Sequence, residues 1–385
     1  MDWRRVASCQ AVEWAAPSPR SRGTVSPQLT DLSAVVMQMP RQPDRSQRPS
    51  QPMYMHPKSP ARQLALLLPL LLLAAALVLG HPPDAGAVPR AGPVIGVGEQ
   101  KSVMFDSKPW RALRLQTARY TAPWDALRDP QQLALLDAWM ASARRSHVRV
   151  LLGFAHSLRT QQLAERLPTP RQFEREFKRF RARYPWVRDW LVWNEANHPG
   201  SLTARRPRRA AQLFDVVART CRGCHIVAAD VLDTSDMATW VARFRSAARH
   251  TPRIWGLHNY GDANGLKTRS TLKLLSITRG KIWFTETGGV VMRRVYEGRR
   301  VVHTYRYSLR HAAKSTAHVL ALSCLSSRIA RVYLYHWQPP PKVTNWDSGL
   351  VDWRGRPRPA YRALRRWLSH SASAARRGGR RALCG

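Results

Sequence analysis

Three stretches decide the fold: Val148-Arg149-Val150-Leu151-Leu152-Gly153-Phe154, then Thr169-Pro170 with Phe173, Phe177 and Phe180 behind it, then Trp190-Leu191-Val192-Trp193-Asn194-Glu195. The outer two are short, apolar and rich in β-branched and aromatic residues, as strands buried on both faces are. Between them a Thr caps a helix that opens with Pro, and the three phenylalanines recur on one helical face. Strand, helix and strand in this order is the repeating unit of a parallel sheet.

The same alternation continues in both directions. Further strands are expected at Val94–Gly98, Leu113–Tyr120, Ile226–Val231, Ile254–His258, Ile282–Thr285 and Val332–Trp337. Asp129-Pro130 starts a helix with Leu133, Leu136, Trp139, Met140 and Ala143 on one face, and Pro207 opens another with Ala210, Leu213, Phe214 and Val217. Met237–Ala248, Ser308–Leu322 and Pro359–Leu368 complete the helices. About eight repeats over roughly 280 residues match an α/β fold of the (β/α)8 TIM-barrel type, typically ~250 residues. An open doubly wound sheet fits less well, because Gly96-Val97-Gly98 lacks the third Gly of a dinucleotide loop and no clean helix follows it.

The chain has 385 residues, 44% of them hydrophobic, with 15 Trp, so a wholly disordered chain is excluded. Residues 1–62 are rich in Pro, Ser, Gln and Arg and read as disordered or as a mis-started N-terminus. Residues 63–87 read as a signal peptide, with Met53 or Met55 as its start. Lys58 and Arg62 precede the apolar run Leu64–Leu79, and Ala85-Gly86-Ala87 offers a small-residue cleavage site. An uncleaved signal anchor is the alternative, and membrane association is expected only in that case. Residues 88–368 form the expected catalytic barrel, and the Ser-, Ala-, Gly- and Arg-rich 369–385 reads as a basic disordered tail. The expected product is a secreted monomer.

Lys and Arg number 63 against 24 Asp and Glu, a net charge of +39. Nine basic and five acidic residues precede Val88, so the remainder carries +35. The arginines are spread along every helix, which reads as a solvated face, and no nucleic-acid partner is expected. Cys221-Arg222-Gly223-Cys224-His225 fits a haem-attachment pattern. It runs straight into a strand on the bottom of a filled barrel, where no haem-sized pocket exists, so a local Cys221–Cys224 disulfide is expected instead. Cys324 and Cys384 are left open as paired or free. Nothing has ligand spacing such as His-Glu-x-x-His, so neither a metal nor a cofactor is expected.

In such a barrel chemistry sits at the carboxyl ends of the strands. Glu195 follows the fourth strand and Glu286 the seventh, in Phe284-Thr285-Glu286-Thr287-Gly288-Gly289. Two carboxylates facing each other across the mouth are what glycoside hydrolysis needs: one protonates the leaving oxygen, and the other attacks carbon or activates water. Like-charge repulsion is expected to raise the pKa of one of them. Trp124, His156 and His198 follow the second, third and fourth strands and are candidates for contact with sugar. Asp230 and Asp233 end the fifth strand, and one of them could touch sugar. The Arg-rich stretch Thr287–Thr304, with Arg293, Arg294, Arg299 and Arg300, is a candidate cover for the site or a receptor for an acidic sugar.

Asn194-Glu195 on strand four with Glu286 on strand seven resembles the clan A, or 4/7, glycoside hydrolases over residues 93–368, in the type of secreted actinobacterial barrels. His258-Asn259-Tyr260 is similar to that clan's His-x-Tyr. The resemblance implies a retaining glycosidase acting on β-linked carbohydrate, with Glu195 as acid/base and Glu286 as nucleophile. It implies that Asn194 holds the sugar 2-hydroxyl, Tyr260 the nucleophile's oxygen, His258 a place in the site, Trp337 the sugar-stacking position, and Arg119 the ionised state of the nucleophile. Ala196-Asn197 departs from the Glu-Pro of many members. The competing reading is a non-catalytic barrel that binds a glycan or a polyanion of the cell envelope.

Overall fold

The computed structural model describes residues 90–297, 300–343 and 345–384. The expected leader at 1–62 and signal sequence at 63–87 lie outside the described residues. The strands are β1 (Val94–Gly98), β2 (Thr117–Pro123), β3 (Arg149–Ala155), β4 (Asp189–Leu191), β5 (His225–Leu232), β6 (Ile254–His258) and β7 (Lys281–Thr287). After the hairpin of β8 (Met292–Glu297) and β9 (Arg300–Tyr305) comes β10 (Ile329–Tyr335), followed by the short β11 (Trp346–Asp347). Strands β1 to β7 and β10 pair in parallel and close in the order β1-β10-β7-β6-β5-β4-β3-β2. The fold is a (β/α)8 TIM barrel.

The helices are α1 (Lys108–Leu113), α2 (Pro130–Arg145), α3 (Gln161–Ala164), α4 (Pro170–Arg183), α5 (Pro207–Thr220), α6 (Met237–Ala247), α7 (Tyr260–Gly265), α8 (Arg269–Ile277), α9 (Leu309–Leu322), α10 (Pro359–Arg376) and α11 (Arg380–Cys384). Their starts are chemically marked. Asp129 accepts the backbone N–H groups of Gln131 and Gln132, and Thr169 and Gln172 exchange side-chain and backbone bonds in a capping box. Helix α4 buries Phe173, Phe177 and Phe180 against the outward faces of β3 and β4. The Phe154–Phe180 centroids are 4.9 Å apart and the Phe177–Trp190 centroids 5.0 Å, edge-to-face. Each such pair contributes about 0.5–1.5 kcal/mol beyond its area.

Inward-facing residues seal the lower end of the barrel. Leu151, Leu191, Val227, Ile254, Trp283 and Tyr333 form one buried cluster. Above the Trp283 ring, 3.8 Å from its centroid, sits the Arg331 guanidinium, which donates to Asp189 at 2.5 Å and to the Tyr333 hydroxyl at 3.1 Å. His225 is bonded to the same Asp189. The histidine of the haem-like motif is therefore committed to the floor of the barrel, and Cys221 and Cys224 are joined as a disulfide.

Three expectations need correction. The second strand begins at Thr117 rather than Leu113, because Leu113 closes α1 and Arg114 caps it in the left-handed conformation at φ 49°. The Thr287–Thr304 stretch is a β-hairpin whose Val295 pairs with Val302 and whose first strand pairs with β11. The tail is helical over 369–376 and 380–384, with a turn between, rather than disordered. Ser371 exchanges hydrogen bonds with Ala91, Ala374 and Leu383 bury themselves beside Ala91, and Cys384 is disulfide-bonded to Cys324. Small side chains, read from composition as solvating, are what allow this close docking.

Candidate active site

Beyond Leu191 the chain leaves the β4 ladder and turns through Asn194 and Glu195. Asn194 N–H bonds Phe154 O at 2.7 Å and Ala196 N–H bonds Asp230 O at 2.8 Å, so the turn is held from both neighbouring strands. Glu195 has φ 46°, a left-handed conformation rare for a residue with a Cβ. Such conformations persist where surrounding bonds over-determine them, and they cluster at functional sites. Glu286 lies on β7 itself. Both glutamates are 8% exposed, and one oxygen of each lies, with a ring nitrogen of His258, within 4.8 Å of one another.

A buried ionic row connects them. Thr117 points inward on β2, bonding Tyr333 across the barrel, so Arg119, two residues on, points inward too. Arg119 donates to Glu286 Oε2 at 2.7 Å, to Asp230 Oδ2 at 3.2 Å and to Asn194 Oδ1 at 2.5 Å. The last bond fixes the amide orientation and leaves the Asn194 NH2 as the free donor. Tyr260 donates its hydroxyl to Glu286 Oε1 at 3.2 Å. His258 lies between Glu195 Oε1 at 3.1 Å and Asp230 Oδ2 at 2.8 Å.

The electrostatics follow from these contacts. Burial works to raise the Glu195 carboxyl, but the His258 hydrogen bond and charge, with the charges of His198 and Arg119, outweigh it and hold Glu195 below the usual carboxylate range. The expectation that repulsion raises a member of the pair does not hold for Glu195, because a cation stands beside it. Burial alone would depress His258, yet the charges of Glu286 and Asp230 and the bonds to Asp230 and Glu195 push it up to about 10. Burial, reinforced by the Glu286 charge, raises the Tyr260 hydroxyl well above its ordinary value, so it remains a donor. Burial pushes the His156 imidazole below its ordinary value.

A cavity of about 400 Å³ opens over the β1–β4 side of the mouth, and His258, Tyr260 and Asp230 stand behind its wall rather than in it. Arg119, Asn194, Glu195, Glu286, His156 and His198 all contribute to its wall, as do Tyr335, Trp346 and Gln100. Two expected contacts are corrected. Trp337 is 1% exposed and packs edge-on against Trp110 of α1 and Tyr361 of α10. Strand β10 ends at Tyr335, two residues on from inward-facing Tyr333, so Tyr335 rather than Trp337 presents its ring to the cavity. Trp124 is buried in the hydrophobic core rather than in the cavity wall. Neither Asp at the end of β5 lines the cavity: Asp230 is fully buried between Arg119 and His258, and Asp233 accepts the Asp262 backbone N–H. Arg293 lies over the outer Trp346 ring with its guanidinium 5.5 Å from the centroid, and Arg294 donates to Val343 O. Neither lines the cavity, and Arg299 lies outside the described residues.

Tyr335 and Trp346 are the aromatic wall residues the sequence reading missed, and Gln100 is a polar one. The period-two alternation of β10 could have found Tyr335. Trp346 reaches the cavity only through the pairing of β11 with the hairpin, which leaves no local signal.

No family model matches this chain, and no curated protein matches it. Solved structures do. A GH5_18 protein from Bifidobacterium longum subsp. infantis superposes with TM-score 0.53 at 15% identity, covering 74% of this chain and 79% of its own. The GH5_18 protein of Streptomyces cattleya in complex with GlcNAc gives 0.51 at 14% identity, covering 75% and 82%. Xylanase XynB of Paenibacillus barcinonensis gives 0.52 at 10%, covering 73% and 99%. The likeness is one of fold.

Proposed function

We propose that the protein is a retaining glycosidase of the 4/7 barrel type acting on β-linked glycans by double displacement. The observation that carries this reading is the pair of buried carboxylates in the wall of one cavity, with oxygens within 4.8 Å. Retaining enzymes separate their carboxyl groups by ~5–5.5 Å and inverting ones by ~6.5–9.5 Å, which leaves room for a water.

The residues divide the work. Glu286 is the nucleophile: Arg119 and Tyr260 each bind one of its oxygens, keeping it aimed while lone pairs remain for the anomeric carbon. Glu195 is the acid/base, first protonating the leaving oxygen and then accepting a proton from water. The Asn194 NH2, fixed by Arg119, faces the cavity to bind the sugar 2-hydroxyl. Tyr335 and Trp346 offer aromatic faces to sugar CH groups, and His156 and His198 offer polar edges. Two disulfides suit an oxidising compartment, which supports export. A barrel that only binds polyanion leaves this buried row without a task.

The test is the anomer released. Proton NMR during hydrolysis of an aryl β-glycoside should show the β-anomer first, and first release of the α-anomer would refute retention. Glu286→Gln should lower kcat by at least ~10³-fold while leaving the circular dichroism spectrum unchanged.

A further inference from the structure

His258 is fully buried, and each of its ring nitrogens faces a carboxylate: Glu195 Oε1 at 3.1 Å from Nδ1 and Asp230 Oδ2 at 2.8 Å from Nε2. A neutral imidazole has one N–H, so one of these contacts would set a ring lone pair against carboxylate lone pairs away from water. The row is satisfied only with one more proton, on the second nitrogen or on one carboxylate. That proton belongs to Glu195, His258 and Asp230 together. Arg119 is bonded to Asp230 at 3.2 Å and to Glu286 at 2.7 Å, which ties the row to the nucleophile's strand.

We infer that this row is the proton store of the reaction: His258 holds the acid proton for Glu195, and Asp230 is the positioning residue that keeps it there. The inference rests on the reading of Glu195 as the acid/base. In the first step the proton passes from Nδ1 to the Glu195 carboxylate and from Glu195 to the glycosidic oxygen. That oxygen takes the electron pair of the breaking C–O bond, while Glu286 supplies the pair for the new bond to carbon. His258 is left neutral, its remaining N–H on Nε2 toward Asp230. In the second step water bonds to carbon, Glu286 leaves with its electron pair, and the water proton goes to Glu195 and back to His258. The groups facing His258 are Glu195 from the β4 turn, Asp230 from β5 and Glu286 from β7, with Arg119 from β2 behind Asp230 and Tyr260 on its own turn. Their negative charges, which push His258 up to about 10, fit a proton retained through neutral pH.

The test separates proton supply from mere packing. Asp230→Asn should slow cleavage of a poor leaving group, such as an unsubstituted phenyl glycoside, by about 100-fold or more. The same change should slow a 2,4-dinitrophenyl glycoside, which needs no proton, by less than about tenfold. The alkaline limb of kcat/KM for the phenyl substrate should move down by about one pH unit or more. Equal losses on both substrates with an unmoved limb would show that Asp230 only holds Arg119, and would overturn the inference. Nitrogen-15 spectra of the unaltered, histidine-labelled protein need no variant. Both His258 nitrogens should be protonated from about pH 6 to 8, and a proton-free nitrogen there overturns the store. If the intact protein cleaves no glycoside at all, the glycosidase reading itself falls; a singly protonated His258 in a protein that does cleave removes only the relay.

Discussion

Arg119, 1% exposed, holds Glu286 at 2.7 Å and Asp230 at 3.2 Å. Its removal strands two buried carboxylates, and breaking a buried pair in this way costs about 3–5 kcal/mol. Arg119→Leu should therefore lower the unfolding free energy by that order in urea titrations, besides abolishing activity; a loss near zero would contradict the buried row. At this scale the sequence was informative where a side chain follows directly from a strand end. Arg119, His258 and Glu286 are brought together because the alternation of a parallel strand fixes which residues face inward, and Glu195 and Tyr260 join them from the first residues beyond β4 and β6. Trp337 was misplaced because β10 stops two residues before it. The bridging place of Asp230 was not legible, since it depends on what β2 and β6 present across the barrel rather than on the Asp itself.

Trp346 ties the hairpin of β8 and β9 to the site. It stands edge-on to Tyr260 at 5.0 Å, and Tyr260 in turn binds Glu286. Trp346→Ala should raise KM about tenfold, equivalent to about 1.4 kcal/mol, as a lost aromatic platform would; steady-state kinetics with an unchanged KM would contradict that role. Helix α7, which carries Tyr260, is anchored by Asp233 at 2.9 Å from the Asp262 backbone N–H. Burial, together with the Asp262 charge, pushes Asp233 up to about 6. The folded form thus binds this proton more tightly than the unfolded form. Stability from this group is greatest below about pH 4 and is lost as pH rises through about 6. Asp233→Asn retains an acceptor without the charge, so its Tm should rise at pH 8 and stay level at pH 4; equal changes at both pH values would contradict the assignment. The helices were legible from caps and apolar faces, whereas the hairpin was not, because its alternating Val residues lie among arginines that read as a loop.

For the molecule as a whole, the barrel was legible because its unit repeats, and each repeat carries its own start signal. The docked tail was not, because composition alone cannot show what Ala374 and Leu383 will bury against. The Cys324–Cys384 bond spans 60 residues, and chain-entropy reasoning gives it about 4 kcal/mol, against about 2 kcal/mol for Cys221–Cys224 with its separation of 3. Cys384→Ser should lower the urea midpoint clearly, and an unchanged midpoint would contradict the docking of α11. The proposed mechanism requires Glu286 to form a bond to sugar. Incubation with a panel of 2-fluoro glycosides, digestion and mass spectrometry test this most directly: a stable glycosyl adduct on the peptide carrying Glu286 is predicted, and turnover of a glycoside with no adduct there, or with the adduct on another carboxylate, would contradict it.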